Sequence, residues 1–457
     1  MEKYDVLVVG SGSGMLVAAT AVANGKKTAL VEYGAMGGTC INRGCVPSKM
    51  LIYPADVVAT IREAEELGIS ATVNRIDFKK IMERMHQLVQ GDVGRQTVAV
   101  EADPSIKWYK SIGEFVADYT IKVSNEMIKA DKVFIVSGAR PSVPPIKGLD
   151  KVDYFTSDTV LALEEQPKSM IIIGGGYIAA EYGHFFSALG TKVTILQRSP
   201  RLLPEEEPEI SGLLKEELTQ RMEVYTNIEA VEANQKNGIK TVVGENRETG
   251  EKTEFPAEAL LVATGRVSNA DLLKPEKTGV EVDDRGFIKV NEYLETRKKN
   301  IYAFGDAIGK QMFKHVANYE SQVAWHNAMS DHKIKIDYTA APHAVFTHPQ
   351  IASVGLKESE ARRQGFKILV GRAFFKDTAQ GAAMGGPKGF VKVIVEQKTG
   401  RVLGGHIIGP HASMLIQEII DAMAVGERNF VPIIRGLHIH PAMTEVVQMA
   451  FANLHEA

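Results

Sequence analysis

The chain of 457 residues holds only two cysteines. That is far too few for the disulfide framework of a secreted protein, and the expected location is the cytoplasm. Long hydrophobic runs are missing: none approaches the roughly 18 residues needed to cross a bilayer. Strand-like Tyr4–Val9 follows the first residue almost at once, so no signal or transit peptide is expected. An excess of either charge is missing too, since 53 Lys and Arg against 56 Asp and Glu leave a formal net charge of −3. That balance makes no electrostatic case for nucleic acid or an anionic membrane as partner. What is present, 44% hydrophobic and 24% charged residues, is ordinary for a globular protein, and the length calls for two to four domains.

Both cysteines fall in one stretch, Gly37-Gly38-Thr39-Cys40-Ile41-Asn42-Arg43-Gly44-Cys45-Val46-Pro47-Ser48-Lys49. Two thiols kept five positions apart, shortly after a nucleotide-binding strand, read as a disulfide that opens and closes against a flavin. The pair is expected to begin a helix, whose N-terminal amides lower a thiol pKa and favour the thiolate. A structural disulfide is the alternative, disfavoured in a reducing cytosol. Half of a metal site is another, but zinc needs further clustered ligands and no other cysteine exists, so no metal is expected.

One pattern occurs twice. The first copy is a strand ending at Val9, then Gly10-Ser11-Gly12-Ser13-Gly14-Met15, a helix from Leu16 to Asn24, a strand over Thr28–Val31, and Glu32. The second is Met170–Ile173, then Gly174-Gly175-Gly176-Tyr177-Ile178-Ala179, a helix, Val193–Leu196, and Gln197-Arg198. Each reads as a βαβ unit whose glycine turn and helix N-terminus receive a pyrophosphate. A lone glycine motif is weak; two in the same context are strong. The first copy departs from the pattern at Met15, where a small residue normally lets helix and strand pack closely, and Gly14 beside it is expected to relieve the crowding.

The ends of the two copies differ. Glu32 stands where a carboxylate accepts hydrogen bonds from an adenosine ribose, so the first site reads as FAD. Gln197 and Arg198, with Arg201 close behind, favour a 2′-phosphate, so the second reads as NADP(H) over NAD(H). A solvated strand-end arginine is the plainer reading of Arg198. Ser137–Pro141 and Ala263–Arg266 bracket the second unit, and the chain returns through Ile301–Ala307. From about Thr339 the texture turns β-rich, as in Gly389–Val395, followed by helical stretches over Met414–Val425 and Thr444–Leu454. The runs Glu205-Glu206-Glu207 and Arg297-Lys298-Lys299 read as solvated faces. Near the end stands His438-Ile439-His440-Pro441-Ala442-Met443-Thr444-Glu445. There a histidine can shuttle a thiol's proton while the carboxylate holds its tautomer. Taken alone, the same run reads as a capped helix start.

Taken together, the Gly-Gly-Thr-Cys…Cys-Val-Pro-Ser-Lys run, the two dinucleotide folds, Gly305-Asp306-Ala307 and the terminal His-Pro…Glu resemble the class I pyridine nucleotide–disulfide oxidoreductases, over essentially the whole chain. The resemblance implies an α/β protein: two Rossmann-like dinucleotide-binding domains plus a C-terminal α+β dimerisation (interface) domain. Its expected boundaries are 1–145 with 265–337 for FAD, 146–264 for NAD(P), and 338–457 for the interface of a homodimer. It implies Cys45 as the flavin-proximal sulfur and Cys40 as the interchange thiol. His440 and Glu445 become acid/base and orienting carboxylate toward the other subunit's disulfide. Lys49 is implied beside the flavin, paired with Glu181, and Tyr177 as a cover that nicotinamide displaces. Asp306 is implied at the FAD ribitol or pyrophosphate, and His315-Val316-Ala317 at the isoalloxazine edge. The full expected FAD set is Gly10, Gly12, Gly14, Glu32, Gly38, Thr39, Lys49, Gly138, Asp306, Val316 and Ala317. For NAD(P) it is Gly174, Gly176, Tyr177, Ile178, Gln197, Arg198 and Gly265.

Within the family, mercuric reductase and large thioredoxin reductase are disfavoured, because the tail Phe451–Ala457 carries no thiol. Dihydrolipoamide dehydrogenase stands first on overall texture, with a lipoyl-bound or small dithiol as substrate. The alternative is an NADPH-dependent reductase of a low-molecular-weight thiol disulfide, mycothione- or glutathione-reductase-like. Gln197-Arg198 favours it, as does Phe313-Lys314-His315-Val316-Ala317-Asn318, which looks like mycothione reductase. Arg43, where a valine is expected, either steers an acidic disulfide and favours the thiolate or points to water. A non-catalytic flavoprotein scaffold would gain no thiols on reduction and has no need of these residues together.

Overall fold

Val6, Leu7, Val8 and Val9 are buried on both faces of the strand Glu2–Val9, as a central parallel strand requires. In the computed structural model, which describes residues 1–456, this strand pairs in parallel with Thr28–Val31 on one side and Glu126–Ile135 on the other. Ile106–Tyr109 extends the parallel sheet beyond Thr28–Val31, and Ile301–Ala303 lies along Glu126–Ile135. Gly113–Ala117 and Thr120–Val123 complete the seven strands as an antiparallel meander. The strand order reverses direction at Glu2–Val9, so the chain leaves Val9 into its glycine turn at the switch point where an open α/β sheet binds ligands. Helix Gly14–Ala23 packs against this strand and against helix Lys314–Met329. These parts belong to one compact unit made of Met1–Met50, Lys80–Ser142 and Gly265–Ile336.

The second compact unit comprises Leu51–Lys79, Val143–Thr264 and Asp337–Ala457. Its five-stranded parallel sheet repeats the first plan. Ser169–Ile173 lies between Lys192–Gln197 and Ala259–Val262, and again the strand order reverses where the chain enters a glycine turn and the helix Tyr177–Leu189. The C-terminal part is a six-stranded antiparallel sheet. Phe390–Glu396 and Val402–Gly409 lie at its centre, with helices Ala412–Ala424 and Glu445–Ala452 packed on a core that includes Val391, Val393, Ile419 and Phe451. The expected strands and helices occur within a few residues of the positions read from the sequence. The bracketing segments pair with each other, Ala139–Pro141 running antiparallel to Arg266–Ser268.

One expectation fails here. Glu205 is solvated, but Glu206 and Glu207 are buried at 3% and 2% exposure. Glu206 accepts hydrogen bonds from His343 and from Ser353 Oγ. Glu207 lies 3.3 Å from the ammonium of Lys392, which also meets Glu358 at 2.8 Å and Glu209 at 3.5 Å. A carboxylate run reads as solvated when its counter-ions lie far away in sequence. Here the six-stranded sheet supplies them. The basic run is closer to expectation: Arg297 and Lys299 are exposed, while Lys298 is half-buried against Asp118.

Candidate active site

The first glycine turn is tight because of its neighbours. Gly10 sits at φ +109, and a Cβ there would lie 2.2 Å from the Val136 carbonyl oxygen. Only glycine takes that conformation at that distance. Gly14 opens the helix, and its Cβ would lie 2.8 Å from Val8 Cγ1. Gly14 thus provides the close helix–strand approach, while Met15 packs half-buried on the core. This resolves the departure at Met15.

The cysteine segment is pressed onto this turn. Gly38 (φ +60) approaches so closely that its Cβ would be 2.7 Å from Gly12 Cα. The Gly37 N–H donates to Ser11 Oγ at 3.1 Å. Ser11 in turn donates from its N–H and its hydroxyl to Glu32 Oε2, both at 2.9 Å, and the Gly34 N–H donates to Oε1 at 2.7 Å. A carboxylate offers about four acceptor positions, so Glu32 keeps capacity for a ribose hydroxyl. Thr39 and Cys40 lie in the short helix Gly38–Arg43, and Cys45 begins the helix Cys45–Glu63. Between them the chain turns so sharply that a Cβ on Gly44 would lie 2.9 Å from the Thr39 carbonyl. Lys49 is one helical turn beyond Cys45, its ammonium 3.5 Å from Ser48 Oγ.

No disulfide bond joins Cys40 and Cys45. The expected lowering is not found at Cys40. Cys45 against it pushes the Cys40 thiol well up, burial adds to this, and Lys314 pulls the other way. Two adjacent thiols resist losing both protons, so the second ionisation of the pair is the harder one.

Asp306 lies in the turn after Ile301–Ala303. Burial raises its carboxyl, and Arg266, 3.7 Å away, opposes the rise. Gly305 donates its N–H to Glu320 at 2.6 Å. Val316 and Ala317 are buried in the first turn of helix Lys314–Met329. Their side chains therefore serve the core, and the Ala317 N–H donates to the Phe313 carbonyl at 2.9 Å. Gly138 (φ +70) and Gly265 (φ +107) flank the antiparallel pair, with open space where a Cβ would stand.

The second glycine turn repeats the first in detail. Gly174 has φ +120, and its Cβ would lie 2.3 Å from the Ala263 carbonyl oxygen. Gly176 caps the helix that Tyr177 and Ile178 begin, both half-buried. Gln197 is buried at 6% exposure, so close beneath the turn that a Cβ on Gly175 would be 2.7 Å from its side chain. Its Nε2 donates to the Arg201 carbonyl at 3.1 Å. Arg198 is exposed, and Arg247 donates to its carbonyl at 3.4 Å, which brings another guanidinium to this strand end. Glu181 is buried in the same helix and accepts the Phe346 N–H at 3.0 Å.

At the C-terminus His440 Nδ1 lies 2.8 Å from Glu445 Oε1, and the Ala442 N–H donates to Oε2 at 3.0 Å. His440 and then the Ala442 amide hold the Glu445 carboxyl below its usual range. An ionised carboxylate only accepts, so Nδ1 carries the hydrogen and Nε2 is left as the base. The His440 side chain is 73% exposed, with exposed Leu437 and Ile439 beside it. His438 has its own carboxylate, Glu418 at 2.7 Å.

Lys314, Arg266, Arg247 and Ser13 were not singled out from sequence. Lys314 donates to Ser13 Oγ at 3.0 Å across 301 residues. One signal was present: a lysine at the first position of a helix opposes the helix dipole.

Comparison with known proteins agrees with this arrangement. Residues 4–331 match the pyridine nucleotide-disulphide oxidoreductase family, and 341–451 match its dimerisation domain. Mycothione reductase of Mycobacterium tuberculosis is 38% identical over 99% of this chain and 100% of its own length. Dihydrolipoyl dehydrogenase of Synechocystis is 35% identical over 98% of each chain. A copper(II) complex of the HOCl-induced flavoprotein disulfide reductase RclA from Escherichia coli superposes with a TM-score of 0.88 at 27% identity, covering 99% of both chains. Two glycine turns at two switch points, a paired dithiol on the first and a dimerisation domain bearing the His–Glu pair make this chain a member of the class I pyridine nucleotide–disulfide oxidoreductases, flavoproteins that act on sulfur groups.

Proposed function

We propose that this protein is an NADPH-dependent reductase of a low-molecular-weight thiol disulfide, mycothione being one such compound. The observation that carries this reading is the end of the second nucleotide unit. There a buried neutral Gln197 replaces the ribose-binding carboxylate and two guanidiniums, Arg198 and Arg247, stand at the strand end. That is the chemistry a 2′-phosphate requires. Similarity to mycothione reductase along the whole chain supports it, as does the Phe313–Asn318 stretch. Dihydrolipoamide oxidation, which the sequence texture puts first, is the second reading, favoured by relatives at 35% identity.

The residue roles follow the same reading. FAD, when bound, supplies the two-electron link between nucleotide and disulfide. Gly10, Gly12, Gly14, Glu32, Gly38, Thr39, Gly138 and Asp306 hold it in a part formed by residues 1–145 and 265–337. Gly174, Gly176 and Ile178 hold the nucleotide in a part formed by 146–264, with Gly265 at the residue that follows it and Tyr177 as the cover. In the exchange, Cys40 attacks one sulfur of the substrate, forming a mixed disulfide and breaking the substrate S–S bond. His440 of the partner subunit, supplied by the 338–457 part, takes the Cys40 proton at Nε2 as the attack proceeds and returns it to the departing thiolate. Cys45 then attacks Cys40, re-forming the pair's disulfide and releasing the second thiolate.

Anaerobic titration of the yellow protein with NADPH and with NADH, followed by turnover with lipoamide and a panel of thiol disulfides, tests this. Reduction by NADPH with turnover of a non-lipoyl disulfide supports the proposal. Reduction by NADH with rapid dihydrolipoamide oxidation replaces it by the second reading.

A further inference from the structure

Helix Lys314–Met329 begins with a cation, at the end where its own dipole is positive. A charge placed against local preference is a sign that something outside the helix demands it. Lys314 is half-buried, and its ammonium donates to Ser13 Oγ at 3.0 Å. Ser13 is 5% exposed and donates onward to Asn318 Oδ1 at 2.9 Å, one turn along the same helix. The lysine is thus tied to the first glycine turn, on which Gly38 presses the cysteine segment. Burial pushes the Lys314 ammonium down, and the charged and titratable groups that hold it up are Cys40, Cys45 and Asp306. Asp306 has Arg266 as its own counter-charge at 3.7 Å.

We propose that Lys314 is a counter-ion of the reduced cysteine pair, a positioning residue held by Ser13 that keeps one of the two sulfurs as thiolate. This rests on the reading of Cys40 and Cys45 as the redox pair. The charge balance requires such a group. A hydride equivalent from the nucleotide is two electrons and one proton. It breaks the Cys40–Cys45 bond and leaves one thiol and one thiolate, so each reduction adds one negative charge at this place. The thiolate is the species that attacks a disulfide, and a fixed cation beside it keeps it available at neutral pH.

The test uses the FAD-loaded protein, reduced anaerobically with NADPH, with iodoacetamide alkylation followed against pH and thiols counted before and after reduction. In Lys314→Met the alkylation profile moves to higher pH and reactivity at neutral pH falls about tenfold, the effect of one pKa unit. Lys314→Arg restores the profile, which a merely structural role would not require. Ser13→Ala, which keeps the charge but releases it, gives a smaller shift in the same direction. Superimposable profiles for wild type and Lys314→Met, with both gaining two thiols, overturn the counter-ion role alone. Should Lys314→Met lose flavin, Lys314→Gln is measured instead. Flavin loss there, with an unmoved thiol profile in the residual loaded fraction, assigns Lys314 to cofactor retention and also overturns the proposal. If the wild type gains no thiols with either nucleotide, the redox reading of the pair falls first.

Discussion

At the scale of single residues, the proposed division of work between two sulfurs and one imidazole gives each removal its own signature. Cys40→Ser is expected to accept reducing equivalents from the nucleotide yet lose disulfide turnover; full turnover would reject its role as interchange thiol. His440→Gln is expected to slow turnover by roughly 10²–10⁴, the range for a lost general acid–base group, with nucleotide oxidation in the first half-reaction unchanged. These residues were legible in sequence because their partners are near: Cys40 and Cys45 are five apart, and so are His440 and Glu445. Lys314 was not, because Ser13 lies 301 positions away. Arg266 meets Asp306 only through the chain's return to the first sheet. The thiol pKa was misjudged for a related reason. A helix N-terminus is visible in sequence, whereas the mutual repulsion of two ionised sulfurs depends on their approach in space.

At the scale of elements, the two glycine turns are the same device used twice, and equal substitutions should separate their ligands. Gly10→Ala would drive a methyl group into the Val136 carbonyl, and the protein is expected to purify without flavin. Gly174→Ala, against the Ala263 carbonyl, is expected to keep flavin while weakening nucleotide binding at least tenfold, about 1.4 kcal/mol. Stopped-flow flavin reduction across nucleotide concentration checks this, and equal flavin loss in both would end the assignment of one cofactor to each turn. The buried ion cluster is an element-scale feature of another kind. Lys392→Met leaves Glu207 without its cation and is expected to cost about 3–5 kcal/mol, read as a lowered urea midpoint. Lys392, with Arg362, holds the Glu358 carboxyl down against burial. That contribution is complete above the ordinary carboxylate range and is lost as pH falls through the lowered folded value. Burial pushes Lys392 down, but Glu358, Glu207 and Glu209 outweigh it, so its ammonium is raised. Its contribution is complete below the ordinary lysine range and fades as pH rises through the raised value. The urea midpoint should therefore fall in acid for the wild type and depend less on pH in Lys392→Met.

At the scale of the whole molecule, His440 is exposed and follows exposed Leu437 and Ile439, in a segment that matches a dimerisation domain. If His440 serves the partner's cysteines, subunits carrying Cys40→Ser and His440→Gln, each inactive, should recover activity when mixed and refolded together. Each hybrid dimer regains one site of two, so a random mixture should reach about a quarter of wild-type activity. No recovery, with hybrids demonstrated by mass, would mean that each subunit uses its own histidine. The sequence by itself determined the family, the two glycine-turn units and the candidates for redox and acid–base residues, because glycine turns, strand periodicity and closely spaced reactive groups are local properties of the chain. Only the tertiary structure decided that Glu206 and Glu207 are buried, beside His343 and Lys392. It alone tied Lys314 to the first glycine turn. Each of these is a contact between segments far apart in the chain, and the energy that selects such a contact exists only once both segments have been brought out of water together.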